Sequence, residues 1–468
     1  MNLVLLSGGS GKRLWPLSND ARSKQFLKLL ANEKGEPESM VQRVWRQLEG
    51  AGLNGSAVIA TGKAQLDLIK SQIGEEAPVI VEPERRDTFP AIALAASYLY
   101  TVKQAQPDET VVVLPVDPYV EGDFFTAVKK LGDVLEAREA ELALLGVTPA
   151  FPSVKYGYIV PFPDEAGEEV MKVSHFREKP NEELAEKLIA DGALWNCGVF
   201  AFKLEYIISL LREMGLPLGY EELLARYGDL PKISFDYQVV EKARRIVVKK
   251  YEGAWKDLGT WNTLTEEMAS PLLGKGFISE DCRNTHLVNE LDIPVTVLGV
   301  RDLVVAASPD GILICDKKSS PRVKDYAAKI EQRPMYEERR WGWYRVLDYV
   351  KYEEGIEVLT KRIGITAGKN LSYQVHYKRG EVWTIIRGEG EFACDGAIMQ
   401  VKAGDVLHIP VRTEHGIKAI SDLELIEVQT GSSLVEEDIV RLYLGWGEVE
   451  AHCRKLMSRF EEAAAGQD

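Results

Sequence analysis

Cysteine is scarce and scattered. The five in 468 residues, Cys197, Cys282, Cys315, Cys394 and Cys453, include no CxxC pair, which excludes a disulfide framework or a zinc knuckle as the organising device. An excess of basic residues is also missing. With 57 Lys and Arg against 72 Asp and Glu, the formal net charge is -15, so nucleic acid, which requires a basic face, is excluded as a partner. Any phosphate site must then be a local gathering of cations. No apolar run approaches the roughly eighteen residues of a membrane span, and the start "MNLVLLSGG" carries no charged leader. Together these predict a cytoplasmic protein, mature from Met1, with no membrane partner. Histidine is rare, six in all, and His376, His408 and His415 share one C-terminal stretch.

From residue 1 to about 270, short β-branched runs ("NLVLL", "SAVIAT", "PVIVE", "TVVVLPVD") alternate with helical patterns near 39–49 and 90–105. That alternation predicts βαβ units and an α/β domain around a mainly parallel, Rossmann-like sheet. Residues 271–333 change character: short apolar pieces such as "VTVLGV" and "GILICD" lie between turn residues, and an all-β connector is expected. Over 334–445, alternating strands punctuated by glycine predict an antiparallel sandwich or small barrel. Residues 446–468 are charged and helical in pattern. No short-period repeat or low-complexity segment stands out.

The sequence "LLSGGSGKRLWPLS" (5–18) places three glycines and two cations directly behind the first strand. A strand, a glycine turn and a following helix would gather backbone N–H groups into an anion-binding concavity, to which Arg13 adds charge. This is neither the Walker loop, which needs GKS or GKT, nor a spaced GxGxxG. Glycines after a strand are by themselves ordinary turn residues; the whole string says more.

That string, followed by "SKQFLKL", resembles the signature of the sugar nucleotidyltransferases, and its tryptophan and "KQF" resemble the mannose-1-phosphate guanylyltransferase branch. Further segments match in the same order: "VEPERRDTFPAIALAA" (81–96), "LPVDPYV" (114–120), "KYGYI" (155–159), "FREKP" (176–180), "LWNCGVFAF" (194–202), "SFDYQVVEKA" (234–243) and "WKDLGTW" (255–261). Departures are Asp87 and Phe89 for the family's asparagine and alanine, Pro118 for a histidine and Cys197 for a serine; whether Asp87 and Pro118 alter base choice stays open.

The resemblance implies the following roles. Gly8, Gly9, Gly11, Arg13 and Lys24 face the triphosphate, and Glu82 and Arg86 lie near the base or ribose. Asp117 and Asp257 hold Mg²⁺. Gly157, Glu178, Asn196 and Gly198 contact the sugar, and Lys179 its phosphate. Residues 276–330 resemble the family's short β-helical connector, which packs domains or builds a homodimer contact. The chemistry is consistent: joining two polyanions needs cations and alignment rather than a covalent nucleophile.

In "YQVHYKRGEVW", Gln374 and His376 are two apart on a strand and share a face. Glu381 follows a turn, and His415 comes later in "IPVRTEHGI". Converging, the four offer the N and O donors that Zn²⁺, Co²⁺ or Mn²⁺ accepts. The stretch resembles the cupin domain of type II phosphomannose isomerases, together with "RRWGWY" (339–344) and Arg441, which becomes an isomerase candidate. Tyr377, Lys378 and Val382 replace family histidines, and an inward Lys378 would weaken the metal site. His408 is expected on a strand beside it.

The expected function is GMP transfer from GTP to mannose 1-phosphate, giving GDP-mannose for polysaccharide biosynthesis, with the cupin either interconverting mannose 6-phosphate and fructose 6-phosphate or vestigial. A transferase for another base or sugar is the second enzyme reading. A noncatalytic sugar-nucleotide sensor is the third, disfavoured because Lys24 and both metal carboxylates are present.

Overall fold

The computed structural model describes residues 1–9, 11–165, 167–435 and 438–465. The chain folds as two compact units. The first is Met1–Asn289 with Pro294–Ala306 and Leu313–Ile330, and the second is Glu290–Ile293, Ala307–Ile312 and Glu331–Asp468.

At the centre of the first unit is a nine-stranded sheet in the order Val79–Glu82, Ala57–Gly62, Asn2–Ser7, Thr110–Pro115, Leu194–Lys203, Leu142–Val147, Ile246–Tyr251, Val170–Glu178, Gly157–Pro161. The first four strands are mutually parallel. Leu194–Lys203 then runs antiparallel to both neighbours, and a further parallel pair and an antiparallel edge complete the sheet. The α/β class is as expected, with the parallel character concentrated in the first half of a mixed sheet. Alternate residues along these strands feed two cores, Leu3, Leu5, Val112 and Leu114 on one face and Val4, Val58, Val111 and Val113 on the other, because successive side chains of a strand point to opposite sides. A sheet covered on both faces needs near-continuous apolar strands, which "TVVVLP" supplies. The helix Thr88–Thr101 buries ten of its residues, as befits a helix apolar on nearly all sides. Helix Met40–Gly50 starts at a capping box between Ser39 and Gln42.

In the connector, strands of three or four residues pair in parallel: Leu272–Gly274 with His286–Asn289, and Gly276–Ile278 with Val295–Val297. Parallel pairing of such short strands through turns is the pattern of a β-helical coil, here filled by Leu287, Val297 and Val305.

The second unit contains a six-stranded antiparallel sheet (Tyr336–Arg339, Gly342–Lys351, Glu357–Ile365, Leu423–Gly431, Arg379–Arg387, Val406–Ile409) and a five-stranded one (Ala397–Lys402, Glu389–Cys394, His415–Ala419, Tyr373–His376, Ile439–Tyr443). Ile363, Trp383 and Leu425 from the first meet Phe392 and Ile417 from the second in one core. The closing helix Trp446–Ala465 packs Trp446, Val449 and Cys453 against Tyr373 and Ala393; the last three residues of the expected tail lie outside the described residues.

Candidate active site and candidate metal centre

The glycine loop leaves the carboxyl end of Asn2–Ser7, the end of a parallel strand at which open α/β sheets bind ligands. Gly11 has φ 60°, and a methyl added there would stand 1.9 Å from the Asn19 carbonyl oxygen, so only glycine fits. At Gly8 and Gly9 an added methyl meets nothing within 4 Å among the described residues outside its own chain neighbours, leaving room at those two positions. Buried side chains tie the loop down: Gln25 donates to the Gly8 carbonyl at 3.4 Å, and Ser23 and Gln65 donate to that of Gly9 at 3.3 and 3.4 Å. The helix expected behind the loop is a correction: the chain makes only a 3-10 turn, Lys12–Leu14. Too few peptides align there to form a macrodipole, so charge must come from side chains. Arg13 is exposed on that turn.

Lys24 lies on the next 3-10 turn, Lys24–Phe26. Its Nζ donates to Asp257 Oδ1 at 2.8 Å and sits 3.0 Å from Asp117 Oδ2. The two aspartates meet because a short ribbon pairs Pro118–Val120 with Trp255–Asp257, placing Asp257 opposite Pro118. Burial alone would pull the Lys24 ammonium down, but the Asp117 and Asp257 charges outweigh it and the pKa is raised. Burial likewise pushes Asp257 up, and Lys24 overrides it, holding the carboxyl below its usual range. Arg13 acts on Asp257 and on Lys155, whose ammonium is lowered first by burial and then by Arg13.

On the other side, Glu178 ends its strand opposite Gly157. A methyl on Gly157 would lie 2.5 Å from Phe176 Cζ and 2.6 Å from Glu178 Oε2, so Gly157 is required for this packing. Lys179 Nζ is 2.7 Å from Glu178 Oε1, and the Lys179 amide donates to the Tyr156 carbonyl. Asn196 sits where its strand's register shifts. Its Oδ1 accepts from the Gly198 amide at 3.0 Å and its Nδ2 donates to Asp236 Oδ1 at 2.9 Å. Burial, then the Glu178 charge, pushes Asp236 up to about 7.

Glu82 and Arg86 stand apart from these contacts, at the sheet's edge. Glu82 accepts from the Tyr227 hydroxyl at 2.7 Å, and Arg86 donates to the Leu230 carbonyl and to Glu84, both at 3.0 Å. Asp87 has φ 72° and caps the Thr88 amide.

In the second unit, Gln374, His376, Glu381 and His415 converge. His376 Nε2 is 3.2 Å from Gln374 Nε2 and 3.2 Å from Glu381 Oε1, and His415 Nε2 is 3.5 Å from Glu381 Oε2. Ligand atoms of the two histidines and Glu381 lie within 4.8 Å of one another, all three residues buried. His415 Nδ1 faces the Thr413 carbonyl at 2.9 Å and His376 Nδ1 that of Asp438 at 3.4 Å. A carbonyl accepts, so each Nδ1 carries the proton and each Nε2 lone pair points at the cluster, the orientation that fixes a metal-binding imidazole. Among the described residues, His415 Nε2 is buried without a hydrogen-bond partner. Burial draws His376 down to about 4, keeping it neutral as a ligand must be. This donor set fits a borderline divalent ion.

Tyr377 and Lys378 are exposed, and Val382 lies on the strand face opposite Glu381 and Trp383. Lys378 therefore does not enter the cluster. His408, registered against Val382, is exposed and is not beside the site. Arg441 is exposed at the position registered against Gln374.

Sequence reasoning missed several residues. Arg379 Nε donates to Glu381 Oε1 at 3.0 Å, Trp383 Nε1 to Oε2 at 3.0 Å, and Gln429 Nε2 to Oε1 at 3.1 Å. Arg379, Glu381 and Trp383 alternate along one strand, so period two held that signal. Asp236 and Lys155 stand within the matched segments "SFDYQVVEKA" and "KYGYI" without having been singled out there, and Gln65 lies in none of the matched segments.

Residues 2–272 match the family model described as nucleotidyl transferase, and residues 328–443 the one described as mannose-6-phosphate isomerase C-terminal. A putative mannose-1-phosphate guanylyltransferase of Vibrio cholerae is 32% identical over 94% of this chain and 98% of its own. The mannose-1-phosphate guanylyltransferase of Escherichia coli K12 is 32% identical over 95% and 98%. An alginate biosynthesis protein of Pseudomonas syringae is 30% identical over 94% and 95%. Among solved structures, one titled mannose-1-phosphate geranyltransferase, from Thermus thermophilus, is 30% identical with a TM-score of 0.59, covering 71% of this chain and 99% of that one. The chain thus belongs to the nucleotidyltransferase family, in the mannose-1-phosphate guanylyltransferase branch, and itself continues into a mannose-6-phosphate isomerase C-terminal domain.

Proposed function

We propose that the first unit transfers GMP from GTP to mannose 1-phosphate, releasing pyrophosphate. The observation that carries this reading is the meeting of Lys24 with Asp117 and Asp257 beside the glycine loop, in a chain whose relatives bear the guanylyltransferase name. A phosphate oxygen of the sugar phosphate attacks the α-phosphorus in line and pyrophosphate departs. Arg13 and Lys24 balance the charge of the triphosphate, and the loop's open glycines admit phosphate close to the backbone. Glu178 and Asn196 orient the sugar and Lys179 its phosphate, which turns a bimolecular encounter into an aligned one. Asp117 and Asp257 would hold Mg²⁺, whose hard oxygen preference suits carboxylates with phosphate oxygens and which supplies charge neutralisation when bound. The purified protein with GTP, Mg²⁺ and mannose 1-phosphate should release pyrophosphate; none released, or equal rates with another base or sugar phosphate, refutes the assignment.

For the second unit, the inward Nε2 lone pairs of His376 and His415 favour a metal-dependent isomerase over a vestigial cupin. Gln374, His376, Glu381 and His415 would hold Zn²⁺, Co²⁺ or Mn²⁺, which polarises a carbonyl for proton transfer between mannose 6-phosphate and fructose 6-phosphate, with Arg441 a candidate for the substrate's phosphate. Metal analysis and an isomerase assay of wild type against Glu381→Ala decide between the two; an active, metal-loaded wild type and an inactive variant are expected.

A further inference from the structure

We propose that Lys24 is a placeholder for the divalent cation: its ammonium keeps Asp117 and Asp257 occupied until the triphosphate arrives, so that metal and nucleotide load cooperatively. This rests on the reading of those aspartates as the metal's carboxylates. The ammonium lies 2.8 Å from Asp257 Oδ1 and 3.0 Å from Asp117 Oδ2, the place where a cation shared by both carboxylates has to sit. Two carboxylates and one ammonium leave a net charge of only about -1 for an incoming dication. To enter, that ion must displace an ammonium whose side chain is only 15% exposed. The displaced group would then be without its two carboxylates in a region that also feels Arg13 and Lys155. A metal ion alone is therefore a poor competitor.

A triphosphate changes the balance. Its oxygens offer the ammonium new partners, and the flexible four-carbon stem of lysine allows the transfer. Both aspartates are then released to a metal that also binds phosphate oxygens. By linkage, the factor by which nucleotide tightens metal binding equals the factor by which metal tightens nucleotide binding, and Lys24 is the residue through which the two are coupled.

The test is Mn²⁺ binding to the full chain, read by the electron paramagnetic resonance of free Mn²⁺, with and without the α,β-methylene analogue of GTP. Sites lost in Asp257→Asn define the signal, which separates it from Mn²⁺ held in the C-terminal centre. In wild type the analogue should tighten this site by about tenfold or more. Lys24→Met without nucleotide should bind Mn²⁺ about tenfold more tightly than wild type, and the analogue's effect should shrink to within about threefold. Lys24→Arg, which keeps the charge, should retain weak nucleotide-free binding, and thermal melts of each variant establish that it is folded. If folded Lys24→Met binds Mn²⁺ no more tightly than wild type, the placeholder role is overturned while the metal site stands. If wild type with the analogue shows no Asp257-dependent Mn²⁺, both are overturned.

Discussion

Asn196 and Asp236, 40 residues apart, share a 2.9 Å hydrogen bond. Burial and the neighbouring Glu178 push the Asp236 carboxyl up to about 7. In the native state it therefore holds a proton that the unfolded chain gives up near the usual carboxylate range. Between those limits the unfolded state binds fewer protons, so this group's contribution to stability falls as pH rises, and is lost above about pH 7. Asp236→Asn cannot ionise. Its melting temperature relative to wild type should be higher at pH 8 than at pH 5, by about 3 °C or more. A difference independent of pH would refute the assignment.

Gly157 backs the Glu178 carboxylate so closely that a methyl group would collide with it. Gly157→Ala should displace Glu178 and lower kcat/KM for the sugar phosphate by about 10²-fold, since a displacement of about 1 Å can have that effect. KM for GTP should change far less. Steady-state kinetics with each substrate varied in turn would show the split.

Asp257 is the acceptor of the shorter Lys24 bond. Asp257→Asn removes one of two carboxylates from the proposed metal site and should lower kcat by at least about 10²-fold. The Mg²⁺ concentration giving half-maximal rate should rise. Unchanged Mg²⁺ dependence would mean that the metal is held elsewhere.

Glu381 is the common acceptor for Arg379, Trp383 and Gln429. Glu381→Ala leaves a buried guanidinium without its carboxylate, a change that costs about 3–5 kcal/mol. Denaturant unfolding followed by tryptophan fluorescence, with metal removed beforehand, should show that loss. Glu381→Gln, which keeps an acceptor oxygen, should lose less.

Much of the first site was legible because its residues stand in contiguous signature strings. The loop glycines, Lys24, Asp117 and Asp257 could each be named from short motifs, and Gly11 and Gly157 occupy positions where backbone or side-chain packing excludes any other residue. Asp236 stands in the matched segment "SFDYQVVEKA", but its burial and its pairing with Asn196 beside Glu178 were not legible, since those neighbours come from distant strands. In the second unit, Gln374 and His376 could be paired by period two alone. Whether Lys378 entered the cluster could not be read along the chain, because the turn before Glu381 resets which face each residue occupies.

The sequence by itself determined the α/β and all-β division and the residue types offered to each site, because hydrophobic period and glycine placement act over a few residues. Only the tertiary structure decided that Lys24 lies between Asp117 and Asp257, that Lys378 points outward and that Arg379 points inward. Those outcomes depend on contacts between segments as far as 233 residues apart. Charge and burial act through distance in space, and that distance is set by packing rather than by position along the chain.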